Sequence, residues 1–180
     1  MGKKILAILG SPRKGGNSDL LSDAFLKGAM ESSHKTEKIY IQQLHLKPCM
    51  ACYGCRETEV CVQKDGMAEV LEKMIESNVI LLVTPVYFYS MSGQMKVWID
   101  RVLPQYTKIK NKEFYFIATA ADENAALERT FDALSGFTDC LPGATVKAKI
   151  YGGGFYESGA VKGSKAEQEA YELGKKAQGI

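Results

Sequence analysis

Apolar residues gather in five short, nearly unbroken runs, at 5–9, 38–41, 79–84, 114–119 and 146–151. Such runs lack the in-out alternation of a half-exposed sheet, so they predict strands buried on both faces. Between them lie stretches with apolar positions at helical spacing, at 19–32, 67–77, 93–102, 124–141 and 164–177. Strict alternation of strand and helix predicts an α/β chain with a five-stranded parallel sheet covered on both sides, a three-layer sandwich. Five βα units fit the doubly wound order 2-1-3-4-5, in which ligands occupy the crevice between the first and third strands. No internal repeat, linker or low-complexity stretch interrupts the pattern, so residues 1–180 are read as one domain, a length that can bury a substantial core.

The first strand runs directly into Gly10-Ser11-Pro12-Arg13-Lys14-Gly15-Gly16-Asn17-Ser18, after which a helix begins. Glycines allow an anion to approach the backbone, Ser11, Asn17 and Ser18 add neutral donors, and Arg13 and Lys14 add charge beside the free N–H groups of a helix N-terminus. The turn therefore reads as a phosphate cradle. A dinucleotide fingerprint, G-x-G-x-x-G, is absent, and no Lys-Ser or Lys-Thr follows the last glycine as a nucleoside-triphosphate loop requires. A terminal phosphate monoester suits the turn better than a pyrophosphate.

At the carboxyl end of the third strand the chain reads Thr84-Pro85-Val86-Tyr87-Phe88-Tyr89-Ser90, across the switch point from Ser11. Pro85 fixes φ and lacks an N–H, and the three aromatic residues offer flat apolar surface for an isoalloxazine or a nicotinamide. Singly, each aromatic could equally be a core or interface residue. Together with the cradle, the segment favours flavin.

Four of the five cysteines, Cys49, Cys52, Cys55 and Cys61, are spaced C-x2-C-x2-C-x5-C. Three thiols at two-residue spacing can wrap one cubane cluster, whereas structural zinc more often uses two C-x2-C knuckles far apart. Free thiols, disulfides and a zinc site remain alternatives to a 4Fe-4S cluster. Cys140, near the end of a helical pattern, reads as a small core residue.

These three stretches, Gly10 to Ser18, the cysteine segment with Asp65-Gly66-Met67, and Pro85-Val86-Tyr87 through Gly93-Gln94-Met95-Lys96 to Asp100-Arg101, resemble the NADPH-dependent FMN reductase family of flavodoxin-like proteins, and within it the iron-sulfur flavoproteins. The resemblance covers the first hundred residues and is topological beyond them. It implies that Ser11, Arg13, Asn17 and Ser18 hold the FMN phosphate and that Pro85, Val86, Tyr87, Phe88, Tyr89 and Ser90 wrap the ring. It places Thr119 and Ala120, with Ala121, near the ring as a third loop; Asp122-Glu123 follows where many relatives carry glycines. It also implies a 4Fe-4S cluster on Cys49, Cys52, Cys55 and Cys61, and a homodimer or homotetramer that builds the flavin site near a subunit edge.

Composition narrows the partners. Lys and Arg number 23 against 21 acidic residues, a net charge of +2, which gives no electrostatic case for nucleic acid or an anionic membrane. No run reaches membrane-spanning length and no secretory h-region opens the chain, so a cytoplasmic protein is expected. His34 and His45 read as surface or loop histidines, Trp98 as an anchor of helix on sheet or of subunit on subunit, Lys27, Lys73 and Lys96 as solvated helix faces, and residues 108–112 as a solvated basic loop. Gly152-Gly153-Gly154 is either a plain turn or a segment lining the site. The expected activity is hydride transfer from NAD(P)H to FMN, with ping-pong passage to a quinone, nitro, azo or flavin acceptor. The competing expectation is an electron carrier that exchanges single electrons with a ferredoxin-like protein through the cluster.

Overall fold

The computed structural model describes residues 2–122 and 124–177. Five parallel strands form the sheet: β1 (Lys4–Leu9), β2 (Lys35–Tyr40), β3 (Val79–Tyr87), β5 (Glu113–Thr119) and β6 (Thr145–Gly152), in the order β2-β1-β3-β5-β6. The predicted order is borne out; the labels shift because a two-residue strand, β4 (Ser90–Met91), turns back antiparallel on the end of β3. The first strand and β2 were expected to pair, and Ile8 does lie beside Ile39. However, β2 starts three residues earlier than its apolar run, because its edge position leaves Lys35 and Glu37 facing solvent.

Period-two alternation within the strands builds two cores, one on each face. Leu6, Ile8, Ile80, Leu82, Phe114 and Phe116 face α2 (Met67–Glu76), α3 (Gly93–Asp100) and α4 (Asn124–Asp139). Ile5, Ala7, Leu81, Val83, Tyr115 and Ile117 face the other side, covered by α1 (Asn17–Glu31) and α5 (Lys165–Lys175). On that side two glycines let the helices touch backbone to backbone. A Cβ on Gly28 would lie 2.1 Å from Tyr171 O, and one on Gly174 would lie 1.9 Å from Phe25 O.

Trp98 is fully buried and packs edge-on against Phe137 of α4 at 5.6 Å, so it anchors α3 on a neighbouring helix within the core on this face of the sheet. Two expectations are corrected. Cys140 is exposed, because α4 has ended at Asp139 and the thiol bonds back to Gly136 O instead of entering the core. The 108–112 stretch is not wholly solvated: Ile109 is buried, and Lys112 Nζ donates to Ile75 O and Ser77 O, both at 2.6 Å, satisfying carbonyls at the end of α2. Among the described residues no helix is long and apolar enough to cross a membrane.

Candidate functional site

The turn after β1 is held from several sides. Gly10 N donates to Val83 O at 2.8 Å, and Gly10 O accepts from Ser92 Oγ at 2.9 Å, tying the turn to β3 and to the start of α3. A Cβ at Gly10 would lie 2.7 Å from Ser92 Oγ and 2.9 Å from Met95 Cβ, so only glycine fits. Ser11 Oγ accepts from Arg13 N at 3.2 Å, curling the turn on itself. The helix α1 begins at Asn17, two residues before the periodicity indicates, and its N-cap, Gly16, contributes no side-chain bond. An uncapped helix start beside an exposed arginine is the anion-binding arrangement anticipated for this turn.

Asp19, in the same helical turn, takes up one N–H of the phosphate turn, that of Gly15. It accepts from Gly15 N at 2.7 Å and Tyr40 OH at 2.9 Å and pairs with Lys38 at 2.5 Å. Burial by itself would raise its pKa, but these bonds prevail and hold it below the ordinary value. Lys14 is turned the same way, with its ammonium 4.9 Å above the Tyr40 ring.

Beyond β3, Thr84 is fully buried and its Oγ1 accepts from Ser92 N at 3.0 Å, while Ser92 Oγ caps α3 by accepting from Met95 N at 3.2 Å. Pairing of Tyr87 with Ser90 leaves Phe88 and Tyr89 as the two central residues of a tight hairpin, with φ of 49° and 59°. Phe88 projects wholly into solvent; Tyr89 lies under the Arg129 guanidinium and its OH donates to Asp122 Oδ2 at 3.3 Å.

Three loops at the carboxyl ends of the strands surround one cavity of about 510 Å3. Of the residues anticipated from sequence, Ser11, Arg13, Asn17, Ser18, Pro85, Val86, Tyr87, Thr119 and Ala120 line it. Lys14, Phe88, Tyr89 and Ser90 do not; Ser90 borders a separate apolar groove of about 840 Å3 beside Cys49 and Cys140. Ser18 Oγ and Thr119 Oγ1, 2.6 Å apart, join the first and third loops beneath the cavity. A fourth wall, Phe155, Tyr156, Glu157 and Ser158, was missed. Its one signal was the Gly152-Gly153-Gly154 triplet, which does lead into a site-lining segment: Ala120 N donates to Gly152 O and Phe155 N to Ala120 O.

The cysteine segment lies elsewhere, between η-turn residues 41–44 and α2, without regular structure. Its base is closed by Arg101, which is buried at 1% exposure. The guanidinium forms a bidentate pair with Asp65, at 2.8 and 3.0 Å, and donates to Lys47 O at 2.8 Å; Gln63 Nε2 adds a bond to Pro48 O at 2.9 Å. Burial would depress the Arg101 pKa, but Asp65 and, beyond it, Cys61 raise it. Cys49, Cys52, Cys55 and Cys61 all border one small cavity beside this guanidinium. A common cavity and four soft donors match cluster chemistry, yet among the described residues no three potential ligands stand close enough together to hold a metal. The set is gathered but not closed.

An open doubly wound sheet with a phosphate-type turn after β1 and a ligand-sized cavity at the β1/β3 switch point defines a flavodoxin-like protein. The chain belongs to the NADPH-dependent FMN reductase family, whose sequence model matches residues 3–157. It is 35% identical over 136 residues to an iron-sulfur flavoprotein of Methanocaldococcus jannaschii, covering 74% of this chain and 70% of that protein. An iron-sulfur flavoprotein of Archaeoglobus fulgidus is 41% identical over 101 residues, covering 56% of this chain but 46% of that protein, so the aligned part spans under half of that relative. In fold, the chain is similar to the NAD(P)H:quinone oxidoreductase from Methanothermobacter marburgensis, with a TM-score of 0.71, 15% identity and coverage of 97% and 96% of the two chains. An FMN-dependent NADH-azoreductase from Bacillus anthracis, solved with FMN, gives a TM-score of 0.71 at 15% identity, covering 98% and 97%.

Proposed function

We propose that the chain is an FMN-dependent NAD(P)H oxidoreductase in which FMN, seated in the switch-point cavity, carries hydride from nicotinamide to a quinone, nitro, azo or flavin acceptor. The observation that carries this reading is the single cavity of about 510 Å3 on which the β1, β3 and β5 loops converge. Ser11, Arg13, Ser18 and the uncapped start of α1 would hold the phosphate. Pro85, Val86 and Tyr87 would flank the ring on one side, with Thr119, Ala120 and the 155–158 wall on the others. No second nucleotide motif accompanies the first, so nicotinamide and acceptor would use the same open mouth in turn, giving ping-pong kinetics. A soluble cytoplasmic homodimer or homotetramer acting on a small-molecule acceptor fits this reading.

The test is spectroscopic. Anaerobic NADPH should bleach the FMN absorbance of the purified protein, and Arg13→Ala should weaken FMN retention while leaving the fold intact. Absence of bleaching with both NADH and NADPH sinks the enzyme reading.

A second reading is supported by the four thiols bordering one cavity and by the names of the relatives above: a 4Fe-4S cluster on Cys49, Cys52, Cys55 and Cys61, with a ferredoxin-like protein as partner. Iron and acid-labile sulfide in anaerobically purified protein decide it; flavin bands without iron would remove it.

A further inference from the structure

Asn17 is the one member of the phosphate turn whose side chain is already fully engaged. Its Nδ2 donates to Glu157 O at 2.9 Å and Phe155 O at 3.3 Å, and its Oδ1 accepts from Gly159 N at 2.9 Å and Val161 N at 3.4 Å. A carboxamide has two N–H donors and one oxygen with two lone pairs, so these four bonds use its whole capacity. A phosphate contact would require breaking one of them. The partners are two carbonyls and two amides, a pattern that neither a carboxylate nor a hydroxyl can match.

We infer that the Asn17 side chain is a positioning group, a latch that holds the 155–161 loop in place as the fourth wall of the cavity, rather than a side-chain ligand of the phosphate. The other end of this loop is zipped to the sheet by Gly154 N to Asp122 O and Phe155 N to Ala120 O, both at 3.1 Å. Between that zip and α5 the loop has no regular structure, and at Gly159 it turns with φ of 86°, presenting its amide to Asn17. The latch thus spans 138 to 144 residues of sequence and fixes Phe155 through Ser158 in the lining of the cavity that Pro85 also borders. As regards the ligand this inference rests on the flavin reading; as regards the loop it does not.

The experiment compares wild type, Asn17→Ala and the near-isosteric Asn17→Asp, with Arg13→Ala as the phosphate control. Hydrogen exchange of residues 153–163 is followed in the flavin-free full chain, and FMN and riboflavin affinities are measured in parallel. Both Asn17 variants should speed exchange of the loop by about tenfold or more, the factor set by about one net hydrogen bond. Asn17→Asp should do so at least as strongly, since it faces two carbonyls with a carboxylate. Asn17→Ala should weaken FMN and riboflavin by the same factor, whereas Arg13→Ala should weaken FMN alone; Asn17→Asp, whose carboxylate would also repel the phosphate, is read by loop exchange only. Unchanged loop exchange overturns the latch, as does a selective loss of FMN over riboflavin in Asn17→Ala. If wild type binds neither flavin, the flavin reading fails while the exchange result still decides the latch.

Discussion

The switch-point cavity and the cysteine loop are built on opposite plans. Every wall of the cavity starts at the end of a strand or helix, and the walls are cross-bonded: Ser92 to Gly10, Ser18 to Thr119, Asn17 to the 155–161 loop. The cysteine loop is held at its base by the buried Arg101–Asp65 pair and the bond from Arg101 to Lys47 O, and at Glu59 by Lys108 and Gln105 Nε2, while Ala51, Tyr53 and Glu59 take positive φ with exposed side chains. The first site is pre-organised by the fold and has its shape before any ligand arrives. The second has its donors gathered in one cavity but not drawn together, the condition in which binding of a metal group and ordering of the loop become the same event.

The sharpest way to break this contrast is Asp65→Ala. It leaves the Arg101 guanidinium buried and unpaired, which should cost about 3–5 kcal/mol of stability by urea denaturation, and should speed exchange across residues 47–65. Replacing both partners, as Asp65→Leu with Arg101→Met, should recover most of that loss, because the penalty belongs to the orphaned charge. Recovery of stability without recovery of loop protection would show that the pair organises the loop and does little for the core. Equal loss of protection in the 155–161 loop would erase the distinction between the two regions.

Next in size is Asp19, on the cavity side. Its folded pKa lies below the ordinary carboxylate value of 3.8, so its contribution is fully present above that pH and is lost as pH falls through the lower folded value. Asp19→Asn should therefore cost about 1.5–3 kcal/mol at pH 7, as expected for hydrogen bonds to a charged group. The gap from wild type should narrow at pH 3 and below. A gap that stays constant with pH would mean that the carboxylate charge does not matter there. Ser92→Ala should follow, costing about 1–2 kcal/mol for a lost helix cap plus the bond to Gly10 O, and should loosen flavin binding by freeing the turn from α3.

The cavity was legible in sequence where backbone requirements leave a signature. A glycine pressed against Ser92 and Met95, a strand that stops at a turn, and a proline at a strand end are local and readable. The 155–158 wall was not, because it is placed by Asn17 and by main-chain bonds to Ala120 and Asp122, contacts that no local pattern encodes. Lys14 lies away from the cavity for a related reason: the sequence shows a cation next to the turn, but not that β2 brings Tyr40 beneath it. Edge strand β2 was readable only at its apolar end, since one side faces water. In the cysteine loop the ligand spacing was plain and the anchor was not. Arg101 ends an otherwise ordinary helix, and its burial follows from the loop folding over it.

The smallest effect concerns the hairpin tip, the one part of the cavity side that resembles the cysteine loop in carrying strained, exposed residues. Phe88 takes φ of 49° with its ring wholly in solvent, a conformation that suits glycine or asparagine. The left-handed region costs a side-chain-bearing residue about 1–2 kcal/mol, and glycine's greater freedom in the unfolded chain returns about half of that. Phe88→Gly should thus stabilise the flavin-free protein by about 0.5–1 kcal/mol in urea denaturation. Because Phe88 does not line the cavity, FMN affinity should stay within about twofold of wild type, the resolution of a few tenths of a kcal/mol. A gain in stability accompanied by a clear loss of FMN affinity would assign the strain a purpose, with the Phe88 ring folding over the cavity once it is filled. The cavity would then have pre-organised walls and a tip that closes only over its ligand, which is the behaviour attributed above to the cysteine loop.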